Sequence, residues 1–129
     1  MPIRIGLIVL AVSQLALALW MVGDPGGFFD HVGGFGAQND HYIRDVATWN
    51  AALGLTALIA VWQPDWRLPV LFLAAVQFTL HAINHIADAN RAVASTDGAF
   101  DAVSLAIGAL LLGALAWLAA RDRAAVAAS

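Results

Sequence analysis

The chain has 129 residues, of which 61% are hydrophobic and 12% are charged, with a formal net charge of −3 and no cysteine. A soluble domain is nearer half apolar and a quarter charged, so this composition excludes an ordinary soluble fold and indicates a membrane protein. The lack of a basic run excludes a nucleic-acid partner, and the lack of cysteine excludes disulfides, thiolate nucleophiles and cysteine-ligated metals.

Four apolar segments are each long enough, at about 20 residues, to cross a bilayer. They predict transmembrane helices over about residues 4–22, 41–62, 67–88 and 98–120. The first resembles a signal peptide, because Arg4 precedes its apolar run and residues 16–18 mimic a cleavage site. Its apolar run is long for a signal peptide, and we therefore predict a retained helix.

The three connections differ in kind. Pro64 ends the second span and Asp65 can cap the third, with Pro69 in its first turn, so these two spans are expected to be antiparallel neighbours. The connection over residues 23–40 is long and rich in glycine and phenylalanine, which is typical of a functional lid or of a segment resting on headgroups. The last connection ends in Ser95, Thr96 and Asp97, which predict a helix start.

Arginine placement predicts that both termini face the cytoplasm. One side of the membrane carries four arginines and the other carries two, and the positive-inside rule puts the richer side inside. The four are Arg4, Arg67, Arg121 and Arg123, and the two are Arg44 and Arg91. We expect residues 1–129 to form one domain, an all-α, antiparallel up-down bundle of four transmembrane helices in the bacterial plasma membrane.

The third span ends in polar residues at helical spacing. At about 100° per residue they share one arc of the helix, which a membrane helix does not turn toward lipid. We therefore expect this polar stripe to face the bundle interior. Its members are Gln77, His81, Asn84, His85 and Asp88.

The second span presents a matching polar face near its start. Antiparallel packing predicts that His41 and Asp45 lie level with His85 and Asp88. Asn50 points to the opposite side, where we expect it to bond the first span or a second subunit. The matching face also includes Arg44 and Thr48, and the fourth span adds Asp101 and Ser104.

Three interpretations of these polar residues stay open. The first is a cation or transition-metal site in the outer leaflet, for Zn, Cu or Fe, because imidazole and carboxylate groups suit these ions. Its predicted ligands are His81, His85, Asp88, His41 and Asp45.

The second interpretation is a structural network that locks the bundle of an accessory or scaffold subunit. It uses the histidines together with Arg44, Thr48, Gln77, Asn84, Asp101 and Ser104.

The third interpretation is a small haem- or quinone-linked redox subunit. A haem would need histidines on facing helices, such as His41 and His85. The sequence indicates no catalytic residue. The expected partners are membrane lipid and either a second copy of the chain or a larger membrane complex, because a stripe of small residues along the fourth span suits close helix contacts.

Three segments, at residues 44–45, 52–55 and 80–88, carry a family resemblance. The chain resembles small bacterial four-helix membrane proteins of the DoxX-like type, over most of its topology and in these short motifs. The resemblance implies a four-helix bundle and, through some members, a quinone-linked oxidoreductase subunit. It implies no functional residue.

Overall fold

The computed structural model describes residues 1–92 and 97–128, and these ranges are helical over most of their length. Of the predicted helix start, Ser95 and Thr96 lie outside the described residues, and Asp97 begins a helix. The described helices are α1 (Pro2–Gly23), α2 (Pro25–His31), α3 (Asp40–Trp62), α4 (Pro64–Asp88) and α5 (Asp97–Ala127), with a 3-10 turn at Ala89–Arg91.

Four of these helices, α1, α3, α4 and α5, are long and apolar enough to cross a membrane. Their outward side chains are large and apolar, as a lipid-facing surface requires. The structure therefore confirms the predicted all-α, up-down bundle of four long helices.

Local signals set the helix boundaries. Proline occupies the first turn of α1, α2 and α4, where its missing N–H has no partner to lose. Asp24 caps α2 by accepting a hydrogen bond from the Gly27 N–H at 2.9 Å. Asn39 caps α3 by accepting from the N–H groups of His41 and Tyr42 at 3.1 and 3.3 Å.

The turn between α3 and α4 is tighter than the sequence suggested. Gln63 alone separates the two helices, because Pro64 begins α4 instead of lying in a loop before it. The Arg67 guanidinium closes the turn by donating to the carbonyl oxygens of Ala60 and Val61 at 3.3 and 3.2 Å. These bonds satisfy acceptors that the end of α3 leaves open.

The helices pack as two pairs, α1 with α3 and α4 with α5, and α3 joins the pairs by packing on α4. Small residues allow the close approach within each pair. A Cβ added at Gly54 of α3 would lie 2.7 Å from the Leu15 side chain and 3.2 Å from the Ala11 carbonyl oxygen of α1. Gly108 of α5 gives similar room to the Phe78 ring of α4.

The apolar core lies toward the end of the bundle that holds the chain termini, called here the terminal end. The opposite end, which carries the connection from α1 to α3 and the 3-10 turn, is called the loop end. The main core draws on all four long helices, whereas the cluster at the loop end draws only on α1, α2 and α3. The two pairs therefore part toward the loop end. The loop-end cluster consists of Ala18, Met21, Phe28 and Ala47.

Residues 24–39 cross the loop end and are called here the strap. The predicted long connection contains the short helix α2, whose Phe28 is buried against the α1–α3 pair. Phe35 forms an isolated antiparallel bridge with Ala92, which follows the 3-10 turn after α4. Gly36 supplies the left-handed backbone directly after it, with φ of 68°. The strap therefore links the two helix pairs over the gap between them.

Candidate functional site

A cavity of about 440 Å³ lies in the gap between the two helix pairs, beneath the strap. All four long helices and the strap contribute to its lining. The α1 and α3 side is largely apolar and includes Leu17, Met21, Ile43, Val46 and Trp49. Ligand pockets are typically apolar cavities of about 300–1,000 Å³ with a few polar groups, and this cavity has that size and character.

The polar side of the cavity is a line of side chains on α4 and α5. The amide nitrogen of Gln77 lies 3.3 Å from Nδ1 of His81, and Nε2 of His81 lies 3.0 Å from Nε2 of His85. Nδ1 of His85 lies 3.9 Å from Oδ2 of Asp101 on α5. Ser104, one turn beyond Asp101, also lines the cavity. We refer to Gln77, His81, His85 and Asp101 as the polar line.

The hydrogen bonds of the polar line are donated in one direction, from Gln77 to His81 and from His81 to His85. The Gln77 amide donates to Nδ1 of His81, so this neutral imidazole carries its hydrogen on Nε2 and donates to Nε2 of His85. His85 then carries its hydrogen on Nδ1, which faces the Asp101 carboxylate. These hydrogen positions are assigned from the partner of each ring nitrogen.

The polar line is sheltered. The side chains of His85 and Asp101 are 15% and 20% exposed, and the Phe35 ring of the strap meets the His85 ring edge-on at 4.7 Å between centroids. The two imidazoles therefore face the bundle interior, as the polar stripe predicted, because hydrocarbon offers them no hydrogen-bonding partner.

The structure does not bring His41 and Asp45 to the cavity. Nε2 of His41 lies 3.5 Å from Oδ2 of Asp45 on its own helix, and the two side chains are 84% and 60% exposed. The physical reason is the rotation of α3, which turns small residues such as Ala47 and Gly54 toward α1 and the opposite face outward. The expected alignment with His85 and Asp88 is therefore absent. A haem ligated by both His41 and His85 does not fit this arrangement either, because His41 does not line the cavity.

Of the other predicted polar residues, some line the cavity and others lie outside it. Asp88 binds Arg91, with Oδ1 and Nη1 3.1 Å apart, at the exposed end of α4. The Thr48 hydroxyl donates to the Asp45 carbonyl oxygen at 2.7 Å. Arg44 and Asn84 are exposed. The predicted residues that line the cavity are Gln77, His81, His85, Asp101 and Ser104.

The predicted metal site, in which His41 or Asp45 completes a tetrahedron with His81, His85 and Asp88, is consequently not assembled in this arrangement. Over residues 1–92 and 97–128, no three histidine, aspartate or glutamate side chains form a group that could hold a metal ion. What the fold does bring together is two imidazoles with a carboxylate behind one of them.

Two buried amides that were not among the predicted site residues also line the cavity. Gln14 of α1 and Asn50 of α3 are 5% and 8% exposed, and both line the cavity across from the polar line. The Asn50 amide donates to the Met21 sulfur of α1 at 3.4 Å, which confirms the expected bond to the first span. Their signal was an amide side chain within an apolar span, because such a group finds no hydrogen-bonding partner in lipid.

Comparisons with known proteins do not add to this picture. No family model, curated protein or solved structure matches the chain. The resemblance to DoxX-like proteins therefore stays a prediction from three short segments.

Proposed function

We propose that this chain is a multi-pass membrane protein that binds a lipophilic small molecule carrying hydrogen-bonding oxygens, of the quinone class, between its two helix pairs. The observation that carries the proposal is the cavity of about 440 Å³, with apolar walls and polar groups at only a few positions. Such a lining favours a ligand that is mostly apolar and is oriented by a few polar atoms.

The placement of the polar groups favours a flat ring with oxygens on opposite edges. The imidazoles of His81 and His85 lie on the α4 side, and the amides of Gln14 and Asn50 lie on the α1 and α3 side. The amide N–H groups of the α1 and α3 side can donate to one carbonyl oxygen, and on the α4 side the other carbonyl would accept the His81 Nε2–H in place of His85 Nε2. Aromatic side chains of the lining, such as Trp49 and Phe35, suit the faces of such a ring.

Access from the bilayer supports a lipid-soluble ligand. Tyr42 and Trp49 line the cavity and are 68% and 40% exposed, so the cavity opens at the bundle surface beside them. In the bacterial plasma membrane, this opening would admit a molecule dissolved in lipid. The strap closes the loop end above it with Phe28 and Phe35.

Binding of a naphthoquinone to the full chain tests this proposal. Purified protein in EDTA-treated detergent micelles is titrated with menadione, and tryptophan fluorescence quenching gives the Kd. We expect saturable binding that Leu105→Trp abolishes, because Leu105 lines the cavity, and that Leu110→Trp preserves, because Leu110 of the same helix is 76% exposed. Absence of saturable binding, or equal binding by both tryptophan variants, contradicts the proposal.

The imidazoles provide a second test, with His41→Leu as the matched control. His81→Leu removes a donor with little change of volume, and a lost hydrogen bond of about 1.4 kcal/mol weakens binding roughly ten-fold. The rival scaffold function predicts a different result. In that case His81→Leu and His85→Leu lower the Tm, and menadione does not bind saturably to the wild type.

A further inference from the structure

The two cavity imidazoles present their Nε2 atoms to the same point in space. His81 and His85 lie one turn apart on α4, and their Nε2 atoms are 3.0 Å apart. Their Nδ1 atoms face away from each other, toward Gln77 and Asp101 respectively. Each ring thus has one nitrogen at a shared point and the other held by a neighbouring side chain.

The spacing of the two Nε2 atoms is that of two ligands on one metal ion. Bonds from zinc to histidine nitrogen are about 2.0–2.1 Å, which places two such nitrogens about 3.3 Å apart in a tetrahedral site and about 2.9 Å apart as neighbours in a square-planar one. The observed 3.0 Å lies between these geometries. Chelation also requires the rings to turn so that both Nε2 lone pairs point at the ion.

The groups behind the imidazoles fit the same role. A metal-ligating histidine usually donates its other ring N–H to a carboxylate, carbonyl or water, which fixes the ring and leaves the metal-facing nitrogen unprotonated. The Asp101 carboxylate faces Nδ1 of His85 at 3.9 Å, which is longer than a hydrogen bond, so it has to move closer to His85 to take this role. When His81 binds the ion through Nε2, its hydrogen lies on Nδ1, and the Gln77 amide, 3.3 Å from that nitrogen, turns over from its metal-free orientation so that its oxygen accepts.

We propose that His81 and His85 chelate one divalent first-row transition-metal ion through Nε2, with Gln77 and Asp101 orienting the rings. Imidazole suits zinc, copper and nickel, and copper binds most tightly to such nitrogen sites. The protein supplies two ligands, so the remaining positions face the cavity and take water or an oxygen of a cavity ligand. His41, Asp45 and Asp88 have no part in this site, because their side chains are placed elsewhere.

Metal alone is the probe for this site, so its outcome is independent of menadione binding. Full-length protein, purified without a histidine tag and stripped with EDTA, is titrated with Zn²⁺ and Cu²⁺ by calorimetry in detergent. We expect one ion per chain and at least a ten-fold loss of affinity in His81→Ala and in His85→Ala. His31→Ala and His41→Ala remove exposed imidazoles and serve as matched controls that bind as the wild type does.

The orienting role of Asp101 has its own readout. Asp101→Asn keeps both ligands but weakens the acceptor behind His85, so the stoichiometry stays at one ion while affinity falls about 10–100-fold, the usual effect of losing such a partner. An unchanged affinity in Asp101→Asn contradicts this part of the proposal.

Electron paramagnetic resonance of the Cu²⁺-loaded wild type identifies the metal ligands even if the alanine variants fail to fold. Hyperfine coupling to two imidazole nitrogens supports chelation by the pair. Coupling to one or none overturns the proposal, as does the absence of stoichiometric metal or wild-type affinity in both folded alanine variants.

Discussion

His81 and His85 place their Nε2 atoms 3.0 Å apart on successive turns of α4. Without a metal ion, one hydrogen atom between the two nitrogens turns this contact into a hydrogen bond, and two would collide. The contact therefore depends on both rings, and the two residues act as one unit.

The first prediction is that the two imidazoles are energetically coupled. In metal-free protein, the losses of unfolding free energy in His81→Ala and His85→Ala should fail to add in the double variant by about 0.5–3 kcal/mol, because the first substitution already removes the shared bond. Unfolding in a denaturing detergent, followed by circular dichroism, measures the three values. The control pair, His41→Ala with His85→Ala, should be additive, because His41 is paired with Asp45. Additive losses in the first pair contradict the hydrogen-bonded arrangement.

The second prediction concerns the contact between α1 and α3. Gly54→Ala should lower stability by about 1–3 kcal/mol, because its methyl group meets the Leu15 side chain and the Ala11 carbonyl and forces the helices apart. Gly113→Ala in α5 is the matched control, since an added Cβ there meets nothing within 4 Å. Thermal unfolding in detergent compares the two. Equal stability of the two variants would show that the α1–α3 contact is looser than described.

The third prediction concerns the turn between α3 and α4. Arg67→Ala should lower stability by about 1–3 kcal/mol, because it removes two hydrogen bonds from a charged donor to the end of α3. Arg67→Lys should recover part of the loss, since an ammonium keeps the charge without the planar fork. Arg4→Ala, at an exposed position at the same end of the bundle, should have little effect. The same unfolding assay tests all three, and a loss in Arg4→Ala as large as in Arg67→Ala would refute a specific role for the turn.

The fourth prediction concerns the strap. Phe35→Ala removes the ring that covers His85 and should raise the rate at which diethyl pyrocarbonate modifies His81 and His85 several-fold. Mass spectrometry of peptides from the treated protein gives the rates. Phe29→Ala is the control, because Phe29 is in the strap but does not line the cavity. If modification is equally slow in wild type and Phe35→Ala, the strap does not close the cavity in solution.

The fifth prediction is the orientation in the membrane, which rests on the arginine count alone. The chain has no cysteine, so Gln38→Cys at the loop end and Ala125→Cys near the end of α5 each introduce a single thiol at an exposed position. In intact cells an impermeant maleimide should label Gln38→Cys, and Ala125→Cys should react only after permeabilisation. The reverse pattern would place both termini outside.

Much of the fold could be predicted from the sequence, because the bilayer leaves few alternatives. A run of apolar residues about 20 long must satisfy its backbone polar groups internally, and a helix is the way to do so. The single-residue link at Gln63 then forces α3 and α4 to be antiparallel. The same reasoning placed His81 and His85 inside, since lipid offers imidazoles no partner.

The composition of the cavity could not be predicted in the same way. The polar face of α3 that begins at His41 lies near a helix end, where headgroups and water accept charge, so turning it outward carries no large cost. The contact of Gly54 with α1 decides that rotation, and a helical pattern alone does not say which neighbour a small residue will meet.

The sequence by itself determined four apolar spans and a sheltered pair of imidazoles, because both follow from the cost of exposing polar groups to hydrocarbon. Only the tertiary structure decided which groups join those imidazoles. The helix pairs pack tightly at the terminal end and part at the loop end, and this leaves Asp101 beside His85 and keeps His41 and Asp45 away. Such placement depends on how side chains from different helices fit together, and that fit is a property of the packed bundle.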